Sequence, residues 1–561
     1  MKRLIPALIA IVLILVIAGI TVGTKIWEKY SYSNERANLK EYFHIESDDQ
    51  AALILHNEQL EEKALFIDGA FYFSKDFVLS SLNDRFYEDA REGLLLYTTP
   101  TDIIRSEIGT GIYTEGGENK SADCIISRYV DDRLYISADY VKQYTNYDYE
   151  IFEKPYRLKI NTGEGTYLRA TVSENSAIRR KGGVKSPILV DVSQGDEVAV
   201  LEELEDWDKV CAKGAIGYIE KKFLSDPEET PVPKIDHYDE PEYTSLTRDY
   251  MINMAWHQVM SAAANSTFDE AIAKTKGLNV ISPTWFSLSD NYGNIKCFAT
   301  TDYVAKAHKK GMEVWGLVDN FDPNISTLEV LSSLTTRQNL IDNLIREAGA
   351  CGMEGINIDF EQLSGETGPH FEEFIRELSI ACRKNGLVLS VDNYVPTESS
   401  DHYGRKAQGE VADYVIIMGY DEHWGSGGVA GSVASIDFVE NGIQKTLEEV
   451  PASKVINALP FYTRIWETKG STVTSEAVGM DVAATFLANK GVSAKWDDTT
   501  CQNYAEFQSG DSFYQVWLED DASIGVKLDI MKKYNLAGVS AWKLGFETAS
   551  VWDVIDSYVN G

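Results

Sequence analysis

Two carboxylates and an amide stand at alternate positions in the run Gly355-Ile356-Asn357-Ile358-Asp359-Phe360-Glu361. Strand side chains alternate between faces, so Ile356, Ile358 and Phe360 share one face and Asn357, Asp359 and Glu361 the other. The apolar face can pack beneath helices, while Glu361 comes last on the polar face, before the loop Gln362-Leu363-Ser364-Gly365. Buried carboxylates are costly unless they are paired or employed in chemistry. Two of them at the C-terminal end of one strand point to proton transfer. The Asn357 amide can donate a hydrogen to Asp359, which would favour the ionised carboxylate without adding a second charge.

Two other short patterns bear on the same chemistry. Met418-Gly419-Tyr420-Asp421 closes the apolar run Tyr414-Val415-Ile416-Ile417, and Val539-Ser540-Ala541-Trp542 closes a second one. Taken singly, Tyr420 reads as a barrel aromatic and Trp542 as core. With them, the run Glu354-Gly355-Ile356-Asn357-Ile358-Asp359-Phe360-Glu361 resembles the active-site strand of the family-18 glycoside hydrolases, whose usual pattern is Asp-Gly-x-Asp-x-Asp-x-Glu. Glu354 replaces the leading Asp and Asn357 the middle one. The Asn form is similar to the branch of the family related to spore-cortex and peptidoglycan hydrolases. Met418 to Asp421 matches the family's Met-x-Tyr-Asp motif, and Trp542 stands where the family places a Trp beneath the sugar.

The resemblance implies a glycosidase acting by a substrate-assisted retaining mechanism, an exception to the two-carboxylate scheme. In that mechanism Glu361 protonates the glycosidic oxygen and the substrate's own N-acetyl carbonyl attacks the anomeric carbon. Asp359 orients the acetamido group and offsets the charge of the oxazolinium ring. Tyr420 donates to the acetamido oxygen and Trp542 gives the sugar an apolar floor. Asn357, Met418, Asp421 and Trp285 complete the implied substrate-binding set, with neither a metal nor a cofactor. The implied substrate is peptidoglycan, or a chitin-like or other N-acetylglucosamine glycan. Chitinase-like lectins keep the barrel but have lost the acid, whereas here Glu361, Asp359 and Tyr420 are all present.

Such residues need a scaffold that gathers strand ends at one mouth. Beyond residue 243, apolar runs recur at Met251–Gln258, Asn279–Leu288, Glu313–Phe321, Gly355–Glu361, Leu387–Tyr394, Tyr414–Tyr420, Lys454–Tyr462 and Gly538–Gly545, eight in all. Buried parallel strands read this way. Between them, Thr335-Thr336-Arg337-Gln338 has a capping-box pattern opening a helix with Leu340, Ile341, Leu344, Ile345 and Ala348 on one side, stopped by Gly352. Phe371, Phe374, Ile375, Leu378 and Cys382 repeat that spacing before Asn385-Gly386. The expected fold is α/β, a (β/α)8 TIM barrel over 243–561. It carries an α+β insertion from about Glu467 to Asp521, whose hairpin pairs Asn503–Gln508 with Phe513–Leu518. Trp496, Tyr504, Tyr514 and Trp517 could wall a groove there, though more of them should form the insertion's own core.

Ahead of the barrel, an uncharged apolar run from Leu4 to Val22 follows Lys2 and Arg3. Its length suits an uncleaved transmembrane helix over 1–25. The expected location is the cell membrane, single-pass, with the catalytic part on the extracytoplasmic side. Residues 41–153 read as a small α+β domain. Residues 156–226 resemble a bacterial SH3-like all-β domain through Tyr167-Leu168-Arg169, Trp207-Asp208-Lys209-Val210 and Gly217-Tyr218-Ile219. Such domains bind peptidoglycan or serve as spacers. A proline- and acid-rich linker is expected over 227–242. With 52 Lys+Arg against 87 Asp+Glu, the net charge of −35 sets nucleic-acid binding aside, since that affinity needs clustered cations. Glycan recognition must therefore rest on stacking and hydrogen bonds. Six scattered cysteines show neither zinc spacing nor a disulfide framework.

Overall fold

The computed structural model describes residues 4–561, so Lys2 and Arg3 lie outside the described residues. The first element is an apolar helix, Leu4–Tyr30, exposed from Ile5 to its end. Within Ile5–Tyr30 an 18-residue stretch reaches a mean hydropathy of 3.0, and the helix is long and apolar enough to cross a bilayer. The helix runs beyond the expected boundary at residue 25.

The chain divides into two compact units. The first comprises the residues up to Phe86 together with Arg105–Glu240. It contains two seven-stranded sheets that share a core, in which Phe43, Ala52 and Ile54 pack with Val198, Val210 and Ile219. Two boundaries drawn from sequence move here. Strand Tyr156–Asn161, expected to open the SH3-like region, pairs parallel with Gln50–Leu55 and so belongs to the preceding sheet. Glu228–Pro231, expected in the linker, adds an edge strand to Thr166–Thr171. Pro231 is tolerated there because an edge strand leaves one side of its backbone unpaired.

The second unit comprises Tyr87–Ile104 and Pro241–Gly561. Eight parallel strands close on themselves: β1 (Ile252–His257), β2 (Val280–Leu288), β3 (Glu313–Asp319), β4 (Gly355–Asp359), β5 (Val388–Tyr394), β6 (Tyr414–Met418), β7 (Val455–Pro460) and β8 (Gly538–Trp542). β1 pairs with both β2 and β8, which completes the barrel. Each expected strand forms; six of the eight end a residue or more earlier, where polar loops take over, and β2 and β5 end where expected. Inside, Met254, Trp256, Trp315, Leu317, Tyr414 and Ile416 fill the lower barrel. Outside, Ile356, Ile358 and Phe360 pack against helices, as the alternation requires.

Helix α1 (Leu334–Cys351) buries Leu340, Ile341, Leu344 and Ala348 and ends at Gly352, whose φ of 74° suits a residue without Cβ. Its cap differs from the expected one. Ser333, two residues before Thr335, accepts the Thr336 amide hydrogen. Helix α2 (Gly368–Asn385) buries Phe371, Phe374, Ile375, Leu378 and Cys382. The segment 87–104, assigned from sequence to an accessory domain, instead packs Tyr87 and Leu96 against Leu334 of α1.

The insertion also begins earlier than expected. Tyr462–Lys469 leaves the barrel directly after β7 and pairs with both Thr472–Gly479 and Ser512–Leu518, giving a five-stranded antiparallel sheet. Tyr504 packs on Trp517 and Tyr514 stacks on Phe507, within the insertion's own surface, while Trp496 is exposed.

Candidate active site

The polar face of β4 points into the barrel, and its hydrogen bonds show how the neighbouring strands position it. Asn357 is fully buried. Its Oδ1 accepts from Trp256 Nε1 on β1 at 2.9 Å and from the Ser282 hydroxyl on β2 at 3.2 Å. With its carbonyl oxygen doubly engaged, the amide nitrogen is left to donate, and it does so to Asp392 Oδ1 on β5 at 2.8 Å. The expected donation from Asn357 to Asp359 is therefore not made. Asp359 lies in register with Asp319 of β3, and the β4–β5 pairing that joins Ile358 to Val391 brings Asp392 alongside Asp359. Directly paired residues of neighbouring strands lie about 5 Å apart and face the same side. Three aspartates thus stand side by side across β3, β4 and β5.

Electrostatics follow from that crowding. Asp359 is 5% exposed, and its Oδ1 has no hydrogen-bond partner. Burial holds its proton affinity well above the ordinary carboxyl range, and the charges of Asp392, Glu361 and Asp319 add to the effect. Burial also raises Asp392, opposed by the Asn357 hydrogen bond and reinforced by Glu361.

Glu361 follows the end of β4 and is clamped from two sides. Its backbone exchanges hydrogen bonds with the Asn320 side chain, each 2.9 Å, and its carboxylate accepts from the Tyr394 hydroxyl at 2.5 Å. Gln362, at φ 53°, turns the chain away immediately afterwards. Burial raises the Glu361 proton affinity against the lowering effect of Tyr394, and Asp421 and Asp319 raise it further. A carboxyl whose proton affinity is raised in this way is suited to release a proton to a substrate.

The remaining expected residues divide. Met418 ends β6 on the face that carries Tyr414 and Ile416 inward. Tyr420 packs edge-on to Tyr462 with ring centroids 6.0 Å apart, and its phenol is held strongly protonated by burial. Asp421 accepts from the Tyr462 hydroxyl at 2.6 Å. Trp542 lies 5.8 Å from Trp256, on the rim of the inner core. Trp285 does not reach the cleft. Ser282 faces inward, so Trp285, three positions on, faces outward; it is fully buried against Tyr303 and donates to Asn265 at 2.8 Å.

Sequence reading missed Asp319, Asn320, Asp392, Tyr394, Trp256 and Ser282. A usable signal was present on β5, where Ser390 and Asp392 alternate with Leu389 and Val391 much as Asn357 and Asp359 alternate with Ile356 and Ile358.

Comparison with known proteins bears on this geometry. The model of the family "Glycosyl hydrolases family 18" matches residues 257–547, just over half of the chain. Among curated proteins, an uncharacterised glycosylase of Bacillus subtilis is 28% identical over 292 residues, covering 50% of this chain and 84% of its own. The cortical fragment-lytic enzyme of B. subtilis is 29% identical over 243 residues, covering 41% of this chain and 56% of its own. This chain therefore spans little more than half of the cortical fragment-lytic relative. Among solved structures, the Bacillus cereus spore cortex-lytic enzyme aligns with a TM-score of 0.50 at 23% identity, covering 60% of this chain and 78% of that one, a likeness of fold.

Proposed function

The chain belongs to the family-18 glycosyl hydrolases, and from that premise we propose that it cleaves β-linked glycans containing N-acetylglucosamine, peptidoglycan foremost, by a substrate-assisted retaining mechanism. The observation that carries the reading is Glu361: a half-buried carboxyl of raised proton affinity, clamped by Asn320 and Tyr394, beside an Asp359 whose Oδ1 is unpartnered.

In this reading Glu361 gives its proton to the glycosidic oxygen as the bond to the anomeric carbon breaks. The acetamido carbonyl of the same sugar closes onto that carbon, so no protein nucleophile is required. The free Oδ1 of Asp359 accepts the acetamido N–H and offsets the charge of the oxazolinium ring. Tyr420 donates its hydroxyl to the acetamido oxygen, and Trp542 supports the apolar face of the sugar. Met418, Asp421 and Asn357 shape the pocket without taking part in bond making. Phe321 and Trp424, 52% and 54% exposed on the loops after β3 and β6, supply stacking surfaces for neighbouring sugars. The same three groups, Glu361, Asp359 and Tyr420, speak against a lectin.

Peptidoglycan is favoured by three features together: Asn357 within the β4 motif, the N-terminal apolar helix, and the β-rich region that resembles an SH3-like domain. We read the helix as a single-pass anchor with the rest of the chain outside the cytoplasm. Incubating the detergent-solubilised chain with purified peptidoglycan and with chitin oligomers, and identifying the new reducing-end sugar by mass spectrometry, tests the reading. Peptidoglycan should yield N-acetylglucosamine reducing ends. Release from chitin alone would move the substrate assignment, and release from neither would end it.

A further inference from the structure

Asp392 belongs to no motif singled out in the sequence, yet the barrel strands bury it and hold it beside Asp359. It is 2% exposed, stands beside Asp359 in the β4–β5 pairing, and receives the Asn357 amide at 2.8 Å. The orientation of that amide is not free, because Trp256 and Ser282 occupy its carbonyl oxygen. The neighbouring strands thus hold one Asp392 oxygen in place, and Asn357 itself cannot ionise. Two buried carboxyls facing the same side of directly neighbouring strands, whose backbones lie about 5 Å apart, cannot both carry full charge without a large cost.

We propose that Asp392 is the proton partner of Asp359, so that the two carboxyls on neighbouring strands hold a single proton between them and titrate as one unit. This rests on the roles given above to Asp359 and Glu361. Asp392 touches no substrate in this account and acts as a positioning residue, setting the pH at which Asp359 becomes ionised. The pair has other groups facing it: Asp319 from β3, Glu361 from the loop after β4, and the phenols of Tyr403 and Tyr420, which lie close enough to feel its charge. Burial and the acidic neighbours all favour retention of the shared proton.

Turnover requires Asp359 ionised, so the acid limb of the pH–rate profile reports the pair. Asp392→Asn removes a negative neighbour while still accepting the Asn357 hydrogen bond. The acid limb should then move to lower pH by about one unit or more. Asn357→Asp adds a carboxylate that Trp256 and Ser282 can still serve, and the limb should move up. The swapped pair Asn357→Asp with Asp392→Asn reverses the direction of one hydrogen bond and restores one carboxyl beside Asp359, so its limb should return toward wild type.

These profiles are measured on the full chain in detergent, with glycan as substrate and Glu361→Gln as control. If Asp392 serves only to orient Asn357, Asp392→Asn keeps its acceptor and gives a profile superimposable on wild type, which overturns the proposal. If the Asp392→Asn chain does not fold, the swapped pair decides: a limb near wild type supports the proposal and an unrestored limb rejects it. Retained activity in Glu361→Gln would instead remove the site reading on which the proposal stands, so the two failures are distinguishable.

Discussion

Glu361→Gln should lower kcat by ~10² or more while leaving glycan binding in place. Gln keeps the volume of Glu, and its amide oxygen can still accept from the Tyr394 hydroxyl, now at 2.5 Å from the carboxylate. The backbone clamp to Asn320 does not involve the changed atoms. Only the transferable proton is lost. Binding should persist because the stacking residues Trp542, Trp424 and Phe321 are untouched. The check is kcat from new reducing ends alongside oligosaccharide affinity by calorimetry. Full turnover in this variant would show that the acid lies elsewhere, whereas equal loss of binding and turnover would point to a collapsed cleft.

Arg337→Met should destabilise the barrel unit by about 3–5 kcal/mol, the usual result of stranding buried charges. Arg337 is fully buried on α1. It bonds Glu377 through Nε at 3.0 Å, the Leu331 carbonyl at 2.7 Å and the Tyr87 hydroxyl at 3.1 Å, with Asp89 3.7 Å away. Removing it leaves the carboxylates of Glu377 and Asp89 buried without their cation. Nearby Glu373 is already pushed up to about 8, chiefly by burial and then by Glu377, with Arg376 and Arg337 opposing. Losing Arg337 should raise it further. Denaturant unfolding of wild type and variant, with a probe in the barrel unit, measures the effect; a loss under 1 kcal/mol would show that water or rearrangement compensates. The same network concerns domain design. Asp89 accepts the Leu334 amide hydrogen at the start of α1, and Thr98 donates to Glu373 of α2. A fragment starting at residue 243 would lose these partners although it contains every barrel strand.

The eight strands were legible because each is a buried apolar run, and burial on both faces leaves a mark in composition. The inward direction of Asn357 and Asp359 was equally legible, since alternation is a local property. What depends on pairing between distant segments was not. The partner of Asn357 is set by Trp256, Ser282 and Asp392 on three other strands, so a single-strand reading assigned its hydrogen to the nearest carboxylate. Trp285 was placed in the cleft by the family resemblance, whereas the structure turns Ser282 inward and Trp285, three positions on, outward. The parallel pairing of Tyr156–Asn161 with Gln50–Leu55 joins residues about a hundred positions apart, and no local signal marks it. Segment 87–104 reads as a short strand run like its neighbours. Its attachment to the barrel rests on contacts far along the chain: Tyr87 and Asp89 at a buried arginine, Leu96 against Leu334, and Thr98 on Glu373.

The central claim, that the substrate's acetamido group is the nucleophile, is tested most directly by a matched pair of β-linked glucosamine oligomers, one N-acetylated and one with free amines at C2. kcat/KM is measured for the full chain on each, alongside inhibition by a thiazoline that mimics the cyclised intermediate. The account predicts that the amine form is cut slower by ~10² or more and that the thiazoline inhibits competitively, because only the acetamido carbonyl can form the ring that Asp359 and Tyr420 are placed to hold. Equal turnover of the two oligomers, with no inhibition by the thiazoline, would contradict it.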